Sequence, residues 1–133
     1  MIQQLSRPFR PVELGSDAPV AFQLEALAAD LRAGEEFQRS GVAAVTLVRG
    51  EPMTLVLIAL RKGETMREHN APSAATVVAL AGRIAFTAGA SRTELVPGTA
   101  IAFSAELPHA VEALENAVYL VSIGGRSRAG AAS

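Results

Sequence analysis

The chain has 133 residues, half of them apolar and 19% charged, which is the size and balance of one globular domain and excludes a disordered segment. Its 12 basic and 13 acidic residues leave a formal charge of −1, so no excess of positive charge argues for nucleic acid or an anionic membrane. The absence of cysteine excludes disulfides and thiolate metal ligands.

Residues 1–17 carry Pro8, Pro11, Gly15 and Asp17 and read as an extended arm. They hold no apolar core of signal-peptide length, and a cytoplasmic protein is expected. A helix is predicted from Pro19 to Ala33. Pro19 suits a first helical turn, with Asp17 just upstream as its cap. Phe22, Leu24, Leu27 and Leu31 recur at mostly helical spacing. Glu25 early and Arg32 late complement the helix dipole, and Gly34 is a natural stop. An apolar stripe of this kind predicts a lid on the rest of the fold, or a dimer contact.

From Gly41 onward the texture changes to short runs rich in valine, leucine and isoleucine. Strands are predicted at Val42 to Val48, Met53 to Leu60, Ala75 to Leu80, Arg83 to Ala88, Arg92 to Val96, Thr99 to Phe103, His109 to Leu114 and Ala117 to Ile123. Turns such as Arg49-Gly50, Ala81-Gly82 and Pro97-Gly98 separate them. About eight short strands at this spacing predict an all-β sandwich or barrel. Met53 to Leu60 and Val77 to Leu80 are apolar on both faces, so their outer faces need cover from the helix or from a second copy of the chain. The longest apolar run falls far short of the roughly 20 residues that span a bilayer as a helix. The expected organisation is an arm and helix over 1–40, a β-barrel over 41–123 and a flexible tail over 124–133.

Two histidines, His69 and His109, carry the chemistry that the chain can offer. Imidazole ligates zinc, iron or nickel, and it also anchors small molecules by hydrogen bonding. A divalent ion draws at least three protein ligands, and Glu64, Glu68 and Glu106 are the carboxylates nearest in sequence. Strand alternation sets Glu68 away from the face of His69 and puts Arg67 on it, and it puts Val111 and Ala113 on the face of His109. Phe86 and Phe103 lie on predicted strands and can line a barrel interior. Ser91 to Glu94, Glu112 and Glu115 read as solvated charge.

The stretch from Leu57 to Ile123 resembles the small cupin family. That family's first motif runs glycine, five residues, His-x-His, three or four residues, glutamate, six residues, glycine. Gly63, His69 and Gly82 fit it. Its second motif is a Pro-Gly turn, a short strand and Pro-His, matched by Pro97-Gly98 and Pro108-His109. The resemblance implies a cupin jelly-roll β-barrel with a short N-terminal helix, paired as a homodimer.

It also implies a metal site of three histidines and one glutamate. His69 takes the place of the first histidine and His109 that of the last, while Ala71 and Ala75 stand at the other two positions. Thr99 stands where an aspartate often follows the Pro-Gly turn. The expectation is therefore a small-molecule-binding protein whose pocket is formed by His69, His109, Arg67, Phe86 and Phe103, with no cofactor. The alternative is a metal-dependent oxygenase or isomerase in which His69 and His109 hold Zn, Fe, Ni or Mn with further ligands. A third option is a structural homodimeric module with a vestigial pocket.

Overall fold

The computed structural model describes residues 2–3, 9–14, 18–68, 74–104 and 106–125. A short parallel pair, β1 (Ile2–Gln3) and β2 (Ala21–Phe22), precedes two helices, α1 (Leu24–Ala33) and α2 (Glu35–Ser40). Nine strands follow: β3 (Val42–Val48), β4 (Met53–Leu60), β5 (Thr65–Glu68), β6 (Ala74–Ala81), β7 (Ile84–Ala88), β8 (Ser91–Leu95), β9 (Ala100–Ser104), β10 (His109–Ala113) and β11 (Ala117–Gly124).

These nine strands form two antiparallel sheets. One has the order β3-β4-β11-β6-β9 and the other the order β5-β10-β7-β8. The sheets face one another in a jelly-roll arrangement. Ile58, Leu60, Val77, Ile84, Phe86, Leu95, Val111 and Tyr119 pack between them. The alternate residues of the larger sheet point the other way, where Leu47, Leu57, Ala59 and Val118 meet Leu27, Ala28, Leu31 and Phe37 of the helices. Strand β4 is thus buried on both faces, with Val56, Ile58 and Leu60 inward and Leu55, Leu57 and Ala59 outward. The expected cover for its outer face is supplied by α1 and α2. Each large side chain buried there contributes about 1.5–3 kcal/mol. Among the described residues no helix is long and apolar enough to cross a membrane.

The helix begins later than its spacing predicts. Ala21 and Phe22 are paired with Ile2 and Gln3, and that extended ladder holds the backbone out of helical geometry until Leu24. Gln23 takes the N-cap position without a side-chain hydrogen bond, and Asp17, the expected cap, lies outside the described residues. Gly34 does end α1, yet the chain re-enters a helix at Glu35. That second helix closes at Gly41, whose φ of +79° lets its N–H reach the Phe37 carbonyl at 2.7 Å. Arg61 then fixes α2 to the end of β4. It donates to the Phe37 and Gln38 carbonyls at 2.8 and 3.0 Å and lies over the Phe37 ring. Strand β5 is a short addition to the apolar runs from which strands are predicted, although alternation is already readable through Arg67 and Glu68. It is held by β10, with Met66 opposite Val111. Of the anticipated tail, residues 126–133 lie outside the described residues, while Gly124 closes β11.

Three turns meet at one end of the sandwich. The Gly63 and Ala113 N–H groups donate to the carbonyls of Ala113 and Glu64, and Leu114 and Glu115 N–H both donate to the Arg83 carbonyl. The Lys62 N–H donates to Asn116 Oδ1 at 2.8 Å. Gly82, with φ of +70°, lies so close that a Cβ there would sit 2.0 Å from the Asn116 carbonyl oxygen. Both its backbone conformation and its space require glycine. Gly82→Ala is expected to lower unfolding stability by about 2–4 kcal/mol, combining left-handed strain with overpacking against backbone. Urea denaturation measures this, and a loss under about 1 kcal/mol would mean that the turn relaxes freely.

Candidate functional site

The space between the two sheets is not filled. A cavity of about 270 Å³ remains. Its wall comes from one face of each contributing strand. Val56 and Ile58 come from β4, Tyr119, Val121 and Ile123 from β11, and Ala75 and Val77 from β6. Ala44 of β3, Met66 of β5, Phe103 of β9, and His109 and Val111 of β10 complete it. The period-two alternation of these strands explains the composition. The same face that faces the core elsewhere faces the cavity here, so nearly every lining side chain is hydrocarbon.

Besides the Tyr119 phenol, the exception among the described residues is His109. It opens β10, directly after Pro108, and lines the cavity. Its Nδ1 lies 3.0 Å from the Leu107 carbonyl oxygen. A carbonyl can only accept, so Nδ1 carries the proton and donates. In the neutral form of the ring this leaves Nε2 as the acceptor. The ring also belongs to an aromatic cluster. Phe103 is 4.7 Å away and tilted, Phe86 is 5.7 Å away and stacked, and Phe86 and Phe103 are themselves 4.7 Å apart. Backbone contact on one side and two phenyl rings on the other therefore fix the orientation of the imidazole.

The structure sorts the other expected pocket residues. Phe103 lines the cavity, whereas Phe86, only 2% exposed, stands behind Phe103 and His109 as a second row. Arg67 does not belong to the wall. It is exposed and pairs in register with Ala110, because Met66, its neighbour, takes the inward position opposite Val111. Strand alternation assigns this correctly only once the register of β5 is known. Val111 lines the cavity and Ala113 is buried between the sheets, on the face of His109 as expected. Glu64 and Glu106 do not line the cavity, and Glu68 is the register partner of His109. His69 and Ala71 lie outside the described residues. The aliphatic wall from β4 and β11 was not singled out in the sequence. Its alternation is readable, but which of two apolar faces encloses a cavity is not.

The described residues do not by themselves complete a transition-metal site, and His69 lies outside them. Ala75, at the position to which the family's glutamate maps, is 4% exposed and contributes only a methyl group to the wall. Among the described residues no three His, Asp or Glu side chains come together to hold a metal. Among the described residues of the wall, His109 offers one imidazole donor where such ions draw three or more ligands. Thr99 has a different task from the aspartate it replaces. Val96-Pro97-Gly98-Thr99 is a tight turn in which the Thr99 N–H donates to the Val96 carbonyl at 3.0 Å and Gly98 has φ of +91°. The Thr99 hydroxyl donates to the same carbonyl at 2.6 Å and accepts from the Val96 N–H at 3.0 Å. The charged groups read as solvated are on the surface. Arg92 and Glu94 pair at 3.0 Å, and Arg83 lies 3.8 Å from Glu94 and from Glu115, all well exposed.

No family model matches the sequence, and no curated protein matches it. Solved structures do match in fold. A cupin superfamily protein from Desulfitobacterium hafniense is 20% identical, with a TM-score of 0.65 over 87% of this chain and 98% of that one. A cupin 2 conserved barrel domain protein from Leptotrichia buccalis is 25% identical, with a TM-score of 0.64 over 74% of this chain and 46% of the other. Salicylate 1,2-dioxygenase from Pseudoaminobacter salicylatoxidans, solved as adducts with gentisate, is 14% identical, with a TM-score of 0.64 over 72% of this chain and 30% of the enzyme.

The geometry at Thr99 is directly testable. Thr99→Ala is expected to cost about 0.5–1.5 kcal/mol of stability, the worth of the turn-closing hydroxyl. An unchanged urea midpoint would show that the hydroxyl does not hold the turn.

Proposed function

We propose that this chain, a small cupin domain by fold, binds a small, largely apolar molecule between its two sheets, with His109 as the polar anchor and without a tightly held metal ion. The observation that carries this reading is the composition of the cavity wall: among the described residues, one imidazole and one phenol amid apolar side chains. Ligand sites of this kind combine apolar burial with a few placed polar groups. The position of Ala75 supports the same reading, since a methyl group there leaves room for a ligand and offers no metal donor.

Thermal unfolding tests it. A panel of small apolar compounds is expected to contain ligands that stabilise the protein by about 1.4 kcal/mol at tenfold excess over Kd. Ala75→Phe, which projects a ring into the cavity, is expected to leave the protein folded and remove that response. Metal analysis of untagged protein is the counter-test. Near-stoichiometric zinc, iron, nickel or manganese that is lost in a His69→Ala, His109→Ala double variant would overturn the proposal in favour of a metal-dependent enzyme. Absence of both metal and ligand response would leave a structural module.

We further propose that the chain pairs as a homodimer. Cover by the helices is concentrated at β3, β4 and β11, while Val78 of β6 stays half-buried and Ala100 and Ala102 of β9 stay exposed. Static light scattering at about 50 µM, well above the Kd of a stable interface, is expected to return twice the monomer mass. A monomer under those conditions would refute the pairing.

A further inference from the structure

We infer that the molecule held in the cavity is a neutral aromatic hydrogen-bond donor of the phenol or naphthol class. This rests on the binding reading above and narrows it to one chemistry. Three observations converge.

The first is the state of His109. With Nδ1 committed to the Leu107 carbonyl, the neutral tautomer of the ring presents a lone pair at Nε2. Nε2 has no hydrogen-bond partner among the described residues. A ligand that donates a hydrogen bond satisfies this nitrogen, whereas an ether or a ketone meets it with a second acceptor.

The second is charge. Among the described residues no cationic side chain lines the cavity. Arg67 is exposed outside it, and Arg61 is tied to the Phe37 and Gln38 carbonyls on the helix side of the larger sheet. A carboxylate brought into this wall would lose its hydration and find no arginine or lysine among the described residues to pair with. The preferred ligand is therefore neutral.

The third is shape. The Phe103 and His109 rings stand tilted to each other by 59° at the wall, with Phe86 fixed behind both. Such a corner offers one ring face and one ring edge to a flat guest. A dry cavity of about 150 Å³ accommodates benzene. In proportion, the 270 Å³ found here suits about ten to twelve non-hydrogen atoms, the size of a fused bicyclic ring with a hydroxyl group.

The experiment is isothermal titration of the full chain at neutral pH with 2-naphthol, 2-methoxynaphthalene and naphthalene-2-carboxylate. In the unaltered protein 2-naphthol is expected to bind about 5–10-fold more tightly than its methyl ether, the worth of one hydrogen bond, and the carboxylate least tightly. His109→Phe and His109→Leu remove the acceptor while keeping apolar bulk beside Phe86 and Phe103. In both, 2-naphthol and its ether are expected to converge to within about twofold. Equal binding of the two in the unaltered protein would overturn the inference and leave the binding proposal standing. So would tightest binding by the carboxylate, or a naphthol preference that survives in both variants. Binding of none of the three would overturn the inference and count against the cavity as a ligand site.

Discussion

The molecule depends on the alternation of strands β4 and β11, which lie side by side in the larger sheet and serve two hydrophobic layers at once. Leu57 and Val118 face the helices, while Ile58 and Tyr119 face the second sheet. A slip of one residue would exchange these sets, so register is pinned from both sides. Five consecutive register pairs, from Leu60 with Ala117 to Val56 with Val121, join apolar or aromatic residues on both strands, and neither face can be surrendered to water. The helices are therefore not an appendage. They complete the burial of a sheet that is apolar throughout.

The inner layer is where packing stops short of filling the space. Alanines at positions 44 and 75, set among valines and isoleucines of the larger sheet, leave room that larger side chains would occupy. An empty apolar cavity forgoes dispersion contacts, and a guest of matching shape restores them. The imidazole there is oriented by its surroundings, through a backbone carbonyl and two phenyl rings. Such an imidazole discriminates by hydrogen-bond direction and contributes little to affinity by itself.

Much of the barrel was legible in the chain. The limits of Val42 to Val48 and Met53 to Leu60 match the structure, because turn residues bracket long β-branched runs. What escaped was short or ruled by distant pairing. Strand β5 exists through its ladder with β10, and the start of α1 is delayed by two residues held against the N-terminus. At the site, His109 and Phe103 could be placed on the inner face from the Pro-His junction and from strand spacing. Arg67 could not, since its side of the sheet depends on which residue of a four-residue strand meets Val111. Thr99 shows a further limit. A sequence position that maps to a metal-site pattern holds a turn closed, and only the hydroxyl's two contacts reveal it.

The cluster of turns around Gly82, Lys62 and Asn116 divides the barrel along its length. There the backbone groups of three connections satisfy one another, and a single added methyl group has nowhere to go. Strand β10 runs from His109 at one end to Ala113 at this sealed end. Chain can therefore be inserted or exchanged near His109 without disturbing the bonds that close the base. Descendants of such a scaffold would diversify from one rim only, keeping a common foundation while changing what they admit.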